Sequence, residues 1–285
     1  MKRTTIVATV LFGCACLYWL SLRPSNDRDW AQDHAVLATA TVDGNSAHIR
    51  NIRDFRYPES GDPTPGYYDR TLPLDEIESL WLIITPFSSD RRGMAHVFLS
   101  FGFASGDFVA ISVEGRKEAG ERYSTWKGLF RGYELIYVVA DERDVIQRRA
   151  NRARKDVYLY PIKTSPERIG RLFVDMLRSA DRIATQPEFY NTLTANCSVV
   201  MVRHANSVAE RKIPVGLRVL LPGYADGLAH ELGLIETSMS LQEARKRFMV
   251  SERSRRFADA VDYSQRIRQL EGVEAEGPDA DFDFD

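Results

Sequence analysis

The sequence predicts an α+β domain in which a central antiparallel sheet is packed against a helix that starts at a cysteine. Three observations carry that expectation. Runs rich in β-branched and aromatic residues recur at 79–87, 96–103, 108–114, 133–140 and 156–161, the composition of strands. Between 165 and 184, Ile169, Leu172, Phe173, Met176, Leu177, Ala180 and Ile183 recur at helical spacing, behind Ser165, Pro166 and Glu167 as a helix start. Asn196, a strong N-cap residue type, precedes the aliphatic run SVVMVRH at 198–204, which places Cys197 at the first helical position. The 285 residues suffice for one large or two small domains, and 44% hydrophobic with 27% charged content is ordinary for a globular chain.

The chain opens with Lys2 and Arg3 and then runs from 5 to 22 without a charge, just enough to span a bilayer as a helix. A cleaved secretory signal is the rival reading, and Leu11-Phe12-Gly13-Cys14 hints at a lipoprotein cleavage site. Phe12 is awkward there, and the run continues through Leu17-Tyr18-Trp19-Leu20, whose aromatic pair suits a membrane–water interface. The expectation is an uncleaved single-pass inner-membrane anchor over 1–25 and a connector over 26–45, partly helical from 30 to 41. A folded periplasmic body would follow over 46–270, then a disordered tail over 271–285. The tail holds seven acidic and no basic residues; the remainder carries 38 basic against 33 acidic residues, a mildly basic body suited to an anionic membrane surface. No basic stripe is interleaved with aromatics, so no nucleic-acid partner is expected.

In chain order, 46–56 and 67–74 read as further strands and 60–66 as a loop on its glycines and prolines. Asp54 and Arg56 read as a surface pair. Ala104 to Asp107 is a turn between two strands, and 116–125 a charged loop. Glu134 inside its strand calls for an arginine such as Arg131, because charged side chains are rarely buried alone. A short helix is expected over 141–150, overlapping QRRANRARK at 147–155 with five positive charges in nine residues. A solvated face is the default for that run; recognition of a lipid phosphate or other anion is the sharper reading. Beyond 206 the chain reads as a break at Pro222-Gly223-Tyr224, a short helix ending at Gly233, and amphipathic helix over 240–263.

Cys197 is the one cysteine outside the apolar leader, since Cys14 and Cys16 fall within it. An unpaired cysteine in an oxidising compartment calls for burial or catalysis. At a helix start, the dipole and free N–H groups favour a thiolate, lowering the thiol pKa. A buried structural cysteine behind a capped helix fits the same spacing. No cysteine or histidine cluster has zinc spacing, so no metal or cofactor is expected. His204 lies two turns down the same helix, roughly 10 Å along the axis, and cannot serve the thiol. Of His34, His48, His96 and His230, His96 stands out because it opens a strand of bulky residues. If the hairpin is centred near Ser105, Glu114 stands opposite His96 and can orient its ring, although a slip of one residue would turn it away. His230 reads as a satisfied surface or interface histidine.

The segments AHVFLSFGF, AISVEGRKEAGERYS, YELIYVVADERDV, DVYLYPI and FYNTLTANC, in that order, resemble the Lnb N-terminal periplasmic domain family. That family is named after a bacterial lipoprotein N-acyltransferase, and the resemblance runs from about residue 30 to about 268. It implies a papain-like or NlpC/P60-like thiol fold in permuted order, with the histidine strand before the cysteine helix. It further implies Cys197 as nucleophile and His96 as base, and Glu114 matches the family's S-V-E strand. The family favours N-N-C-T-T where this chain has Ala195-Asn196-Cys197-Ser198-Val199, so the nucleophile and its cap are kept and the flanking contacts differ.

The reaction class so reached is acyl transfer through a thioester on Cys197. His96 would move the proton, Glu114 would orient it, and N–H groups near Asn196 and Ser198 would face the oxyanion. Three readings compete: an acyltransferase or lipase-like enzyme on membrane lipid or lipoprotein esters, a cell-wall peptide amidase or peptidase, and a catalytically silent binding module. An aliphatic groove favours the first and a polar groove with a carboxylate-binding arginine the second. The oligomeric state stays open.

Overall fold

The computed structural model describes residues 2–58, 61–88 and 93–269, so the acidic tail expected at 271–285 lies outside the described residues. Helix α1 spans Lys2–Ser21. Lys2 and Arg3 occupy its start, which leaves an uncharged stretch at the lower limit of a bilayer span. Among the described residues no helix is long and apolar enough to cross a membrane, so the expected transmembrane span is not carried by the structure.

Eight strands follow: β1 (Thr39–Asp43), β2 (Ser46–Arg53), β3 (Tyr67–Pro73), β4 (Ile77–Pro86), β5 (Ala95–Phe103), β6 (Phe108–Arg116), β7 (Glu134–Asp141) and β8 (Tyr158–Pro161). They form one sheet in the order β1-β2-β7-β6-β5-β4-β8, with β3 also on β2. The sheet is mixed, which corrects the purely antiparallel expectation: Arg53 of β2 pairs in parallel with Ala140 of β7. Asn51, with φ 61° in the left-handed region, sits in an irregularity of β2 and turns its last residues from β1 toward β7.

The segment 26–45, expected as a connector partly helical from 30 to 41, is part of the body. Gln32–His34 forms a 3-10 turn and Thr39–Asp43 forms β1, whose alternating β-branched residues suit an edge strand better than a helix. Asn26 donates to the carbonyls of Ile183 and Ala184 (2.8 and 3.0 Å), and Arg116 stacks its guanidinium on Trp30 at 4.0 Å. The expected Asp54–Arg56 pair forms at 2.7 Å.

Helices cover both faces of the sheet. The short helix α2 is Thr125–Leu129; α3, Glu142–Gln147, runs directly into a single π-turn at Arg148–Arg152. The amphipathic α4 spans Pro166–Thr185 with Ser165 accepting from the Arg168 N–H as cap, and α5 is Cys197–Val208. Five short helices close the described part of the chain: α6 (Leu217–Leu220), α7 (Ala225–Glu231), α8 (Leu241–Arg247), α9 (Ser251–Arg256) and α10 (Tyr263–Arg266). Strand alternation divides the core. Val97, Leu99, Phe101 and Phe103 of β5 pack with the apolar face of α4 and with Val200 and Met201 of α5, while Phe98 packs on the opposite face with Val145, Ile146 and Ala150. The Phe173 ring of α4 meets Phe101 and Phe103 at 4.9 and 5.5 Å.

One buried ion pair welds β2 to α3. Asp144 is fully buried and accepts from Arg53 Nε (2.8 Å) and Nη2 (3.0 Å), from the Phe55 N–H (2.9 Å) and from the Tyr57 hydroxyl (2.9 Å). Removing the carboxylate alone strands Arg53, itself only 3% exposed. Asp144→Ala is therefore expected to cost about 3–5 kcal/mol in urea unfolding, and Arg53→Met with Asp144→Leu to recover much of it.

Candidate active site

The approach to Cys197 is built as a series of side-chain-capped turns. Asn191 Oδ1 accepts from the N–H groups of Leu193 and Thr194 at 2.9 and 3.0 Å. Asn196 is the N-cap in extended conformation; its Oδ1 accepts from Val199 N–H at 2.9 Å while its Nδ2 donates to Thr192 O at 2.8 Å. Ser198 Oγ has one proton to donate and lies 2.5 Å from Val219 O and 3.1 Å from Asn196 Oδ1; given to the nearer carbonyl, it ties α5 to α6. Gly128 of α2 lets this segment approach closely, since a Cβ there would fall 2.4 Å from Thr192 Oγ1 and 3.1 Å from Tyr190 Cε1.

Cys197 is consequently the first residue of α5 and is 6% exposed. Burial pushes its thiol up to about 11, although the backbone N–H groups of Val97 and Ser198 face the sulfur and pull the other way. The expectation of a thiol acidified by the helix start is corrected here, because loss of hydration outweighs the N–H groups. The hairpin explains why a β5 amide is free for this role. Pairing between β5 and β6 runs only from Leu99 opposite Ile111 to Gly102 opposite Phe108, and beyond Leu99 the two strands part. A cleft of about 460 Å³ opens at the parting, and Cys197, His96, Glu114, Tyr190, Arg148 and Arg149 all line it.

The same register, continued, sets His96 opposite Glu114, as the turn centred on Ser105 requires. His96 Nε2 lies 2.7 Å from Ser112 Oγ and 3.3 Å from Glu114 Oε1, and Ser112 Oγ donates to Glu114 Oε1 at 2.8 Å. With Nε2 so engaged, Nδ1 is the remaining ring nitrogen. Behind Glu114 stands His34, fully buried, whose Nδ1 accepts from Lys117 N–H at 2.9 Å. The remaining ring proton is then on Nε2, 3.4 Å from Glu114 Oε2. Arg149 reaches Glu114 Oε1 at 3.2 Å and covers the Phe98 ring at 4.7 Å. Burial opposes ionisation of Glu114, but His96, His34 and Arg149 outweigh it and hold the carboxyl well below its usual range. Burial, reinforced by Arg149, lowers His96; burial also lowers His34. The resting site is a neutral thiol and neutral imidazole beside an ionised carboxylate.

The family described as the Lnb N-terminal periplasmic domain matches residues 64–223, more than half of the chain. The chain belongs to that family. No curated protein and no solved structure matches it, so the expected likeness to permuted papain-like folds has no structural neighbour behind it. Within this Lnb-type periplasmic domain, Cys197, His96 and Glu114 fall inside the matched region, whereas His34 comes from a segment outside it.

The remaining sequence-level expectations sort by geometry. Glu134 is buried and paired, but with Arg28 at 2.8 Å; Arg131 instead stacks on Trp19 and Phe189. His204 serves α5, bonding Tyr137 OH at 2.7 Å and Asp175 Oδ2 at 2.8 Å, and His230 meets Met239 O at 2.8 Å. The basic run at 147–155 is not a uniformly solvated face. The π-turn rotates Arg148 and Arg149 inward, and Arg148 Nη2 pairs with Asp33 at 2.5 Å. His34 and Arg149 carry no spacing signal that ties them to Glu114, whereas Ser112, two residues before it on β6, shares its face of the strand.

Two outcomes follow from these ionisations. His96, His34 and His204 titrate below 6.5 in the fold, so the unfolded chain binds more protons below that pH. Thermal midpoints should therefore fall as pH drops below about 6.5, and further below 4.5 as Glu114, whose folded value is depressed, takes up its proton. Iodoacetamide labelling of Cys197 should show its inflection above the free-cysteine value of about 8.5. Because the Glu114 charge raises the thiol, Glu114→Gln should move that inflection down.

Proposed function

We propose that the domain is a membrane-associated periplasmic thiol acyltransferase or hydrolase acting on lipid or lipoprotein acyl esters. The observation that carries this reading is a second cavity of about 320 Å³ beside the cysteine cleft, lined by Leu80, Leu82, Leu99, Leu172, Met201 and Leu228 among others. Neighbouring residues serve both spaces. Val97, Ser198 and Val219 line the aliphatic cavity, and His96, Cys197 and Leu220 line the cleft. An acyl chain lodged in the first would hold its ester carbonyl near the sulfur.

In this reading His96 Nδ1 takes the Cys197 proton as the sulfur attacks the carbonyl carbon, and the tetrahedral intermediate expels the alcohol, to which His96 returns the proton. The Val97 N–H, which faces the sulfur, is one donor placed for the oxyanion. A neutral resting pair makes the imidazole a general base rather than half of a preformed ion pair. Ser112 and Glu114 hold Nε2 and stabilise the imidazolium once it forms. Water or an amine would then release the acyl group from the thioester.

The cations lining the cleft, including Lys117, Arg122 and Lys155, favour a second reading, an amidase that grips a peptide carboxylate. Intact mass separates the two. Incubation with phospholipid or a diacyl lipopeptide should add one fatty-acyl mass to Cys197, absent in Cys197→Ala, and His96→Ala should slow adduct formation by about 10²–10⁴-fold. No adduct, together with cleavage of a cell-wall peptide, would replace the acyl reading by the amidase one.

A further inference from the structure

We infer that the surface formed by α2 and the turn at Leu193 docks on an anionic lipid surface and turns the mouth of the cysteine cleft toward it. Trp126, Phe130 and Leu193 are 72%, 60% and 54% exposed, large side chains that a water-facing surface gains nothing by presenting together. They are neighbours in the fold: Thr192 Oγ1 donates to Thr125 O at 3.0 Å, and Asn191 Nδ2 donates to Leu129 O at 3.2 Å.

Two observations name the occupant as lipid rather than a protein face. The patch is continuous with α1, whose Trp19 ring meets Phe130 edge-on at 6.1 Å and whose Ile6, Val7, Val10 and Leu17 are also exposed. Apolar surface thus extends from the helix onto the folded body through the Trp19–Phe130 contact, and it needs no membrane span to be satisfied. The charges around it are mainly positive. Arg131 stacks on Trp19, Arg203 donates to Thr194 O at 3.1 Å, and Arg122 lies on the cleft side, while Glu121 is neutralised by Lys127. Aromatic side chains beside arginines are the composition of a membrane–water interface with anionic headgroups. Arg122, Tyr123 and Thr192 belong to both the border of this patch and the cleft lining, so seating the patch brings the cleft mouth to the headgroups.

The inference stands apart from the acyl-transfer reading, since it needs no chemistry at Cys197. The test is fluorescence of the full chain with vesicles of phosphatidylglycerol and phosphatidylethanolamine carrying brominated acyl chains. Trp126 should be quenched, read as the part of the loss of emission that Trp126→Phe removes, the remainder coming from Trp19 of α1. Trp30 and Trp81, which are partly buried, should contribute little to the loss. Quenching should weaken when phosphatidylcholine replaces the anionic lipid and in a Phe130→Ser, Leu193→Ser variant that still binds through α1. A chain held on the vesicles with Trp126 unquenched would overturn the proposal and leave the patch to a protein partner. A chain that does not bind the vesicles at all would overturn it equally.

Discussion

A carboxylate buried at the end of β6 has to be neutralised, and the way Glu114 is neutralised organises the site. Three other elements converge on it, bringing His96 from β5, Arg149 from the π-turn and His34 from the N-terminal segment, beside Ser112 of its own strand. An unpaired charge at that depth would cost several kcal/mol, so each partner is held in place by the cost of leaving it. The imidazole that faces the cleft is therefore positioned by the same electrostatics that stabilise the fold.

The N-terminal segment is bound by similar means. Arg116, two residues beyond Glu114, donates to the carbonyls of His34 and Ala35 at 2.9 and 3.0 Å and to Asn26 Oδ1 at 2.9 Å. Its burial lowers it to about 10, still well above neutrality, so it stays a cation at physiological pH. Residues 25–35 thereby become a wall of the domain, and His34 reaches Glu114 although it lies outside the matched family region. A truncation that removes His34 would keep the matched core and lose one side of the carboxylate's cage.

The cleft itself comes from a hairpin that stops pairing early. Because β5 and β6 part beyond Leu99 and Ile111, backbone that a full ladder would consume is free to face the Cys197 sulfur. The capped start of α5 delivers the thiol to that gap, and the aliphatic cavity is lined by the neighbouring residues Val97 and Ser198. The polar cleft and the apolar cavity are thus adjacent along the chain.

Local chemistry in the sequence already determined the strands around the site, the capped start of α5, the buried face of α4 and the pairing of His96 with Glu114. Each depends on near neighbours: alternation, capping by Asn196, and a turn whose centre sets the register. Glu134 illustrates the limit, since its burial demands a cation but the one that comes is Arg28, more than a hundred residues away, and not Arg131. His34 and Arg149 were equally out of reach, because nothing in their own neighbourhoods records which carboxylate they will face. The acidity of Cys197 is beyond local sequence for the same reason. Helix position is local, but desolvation is set by everything packed around the sulfur, and only the tertiary structure decides how much water is left there.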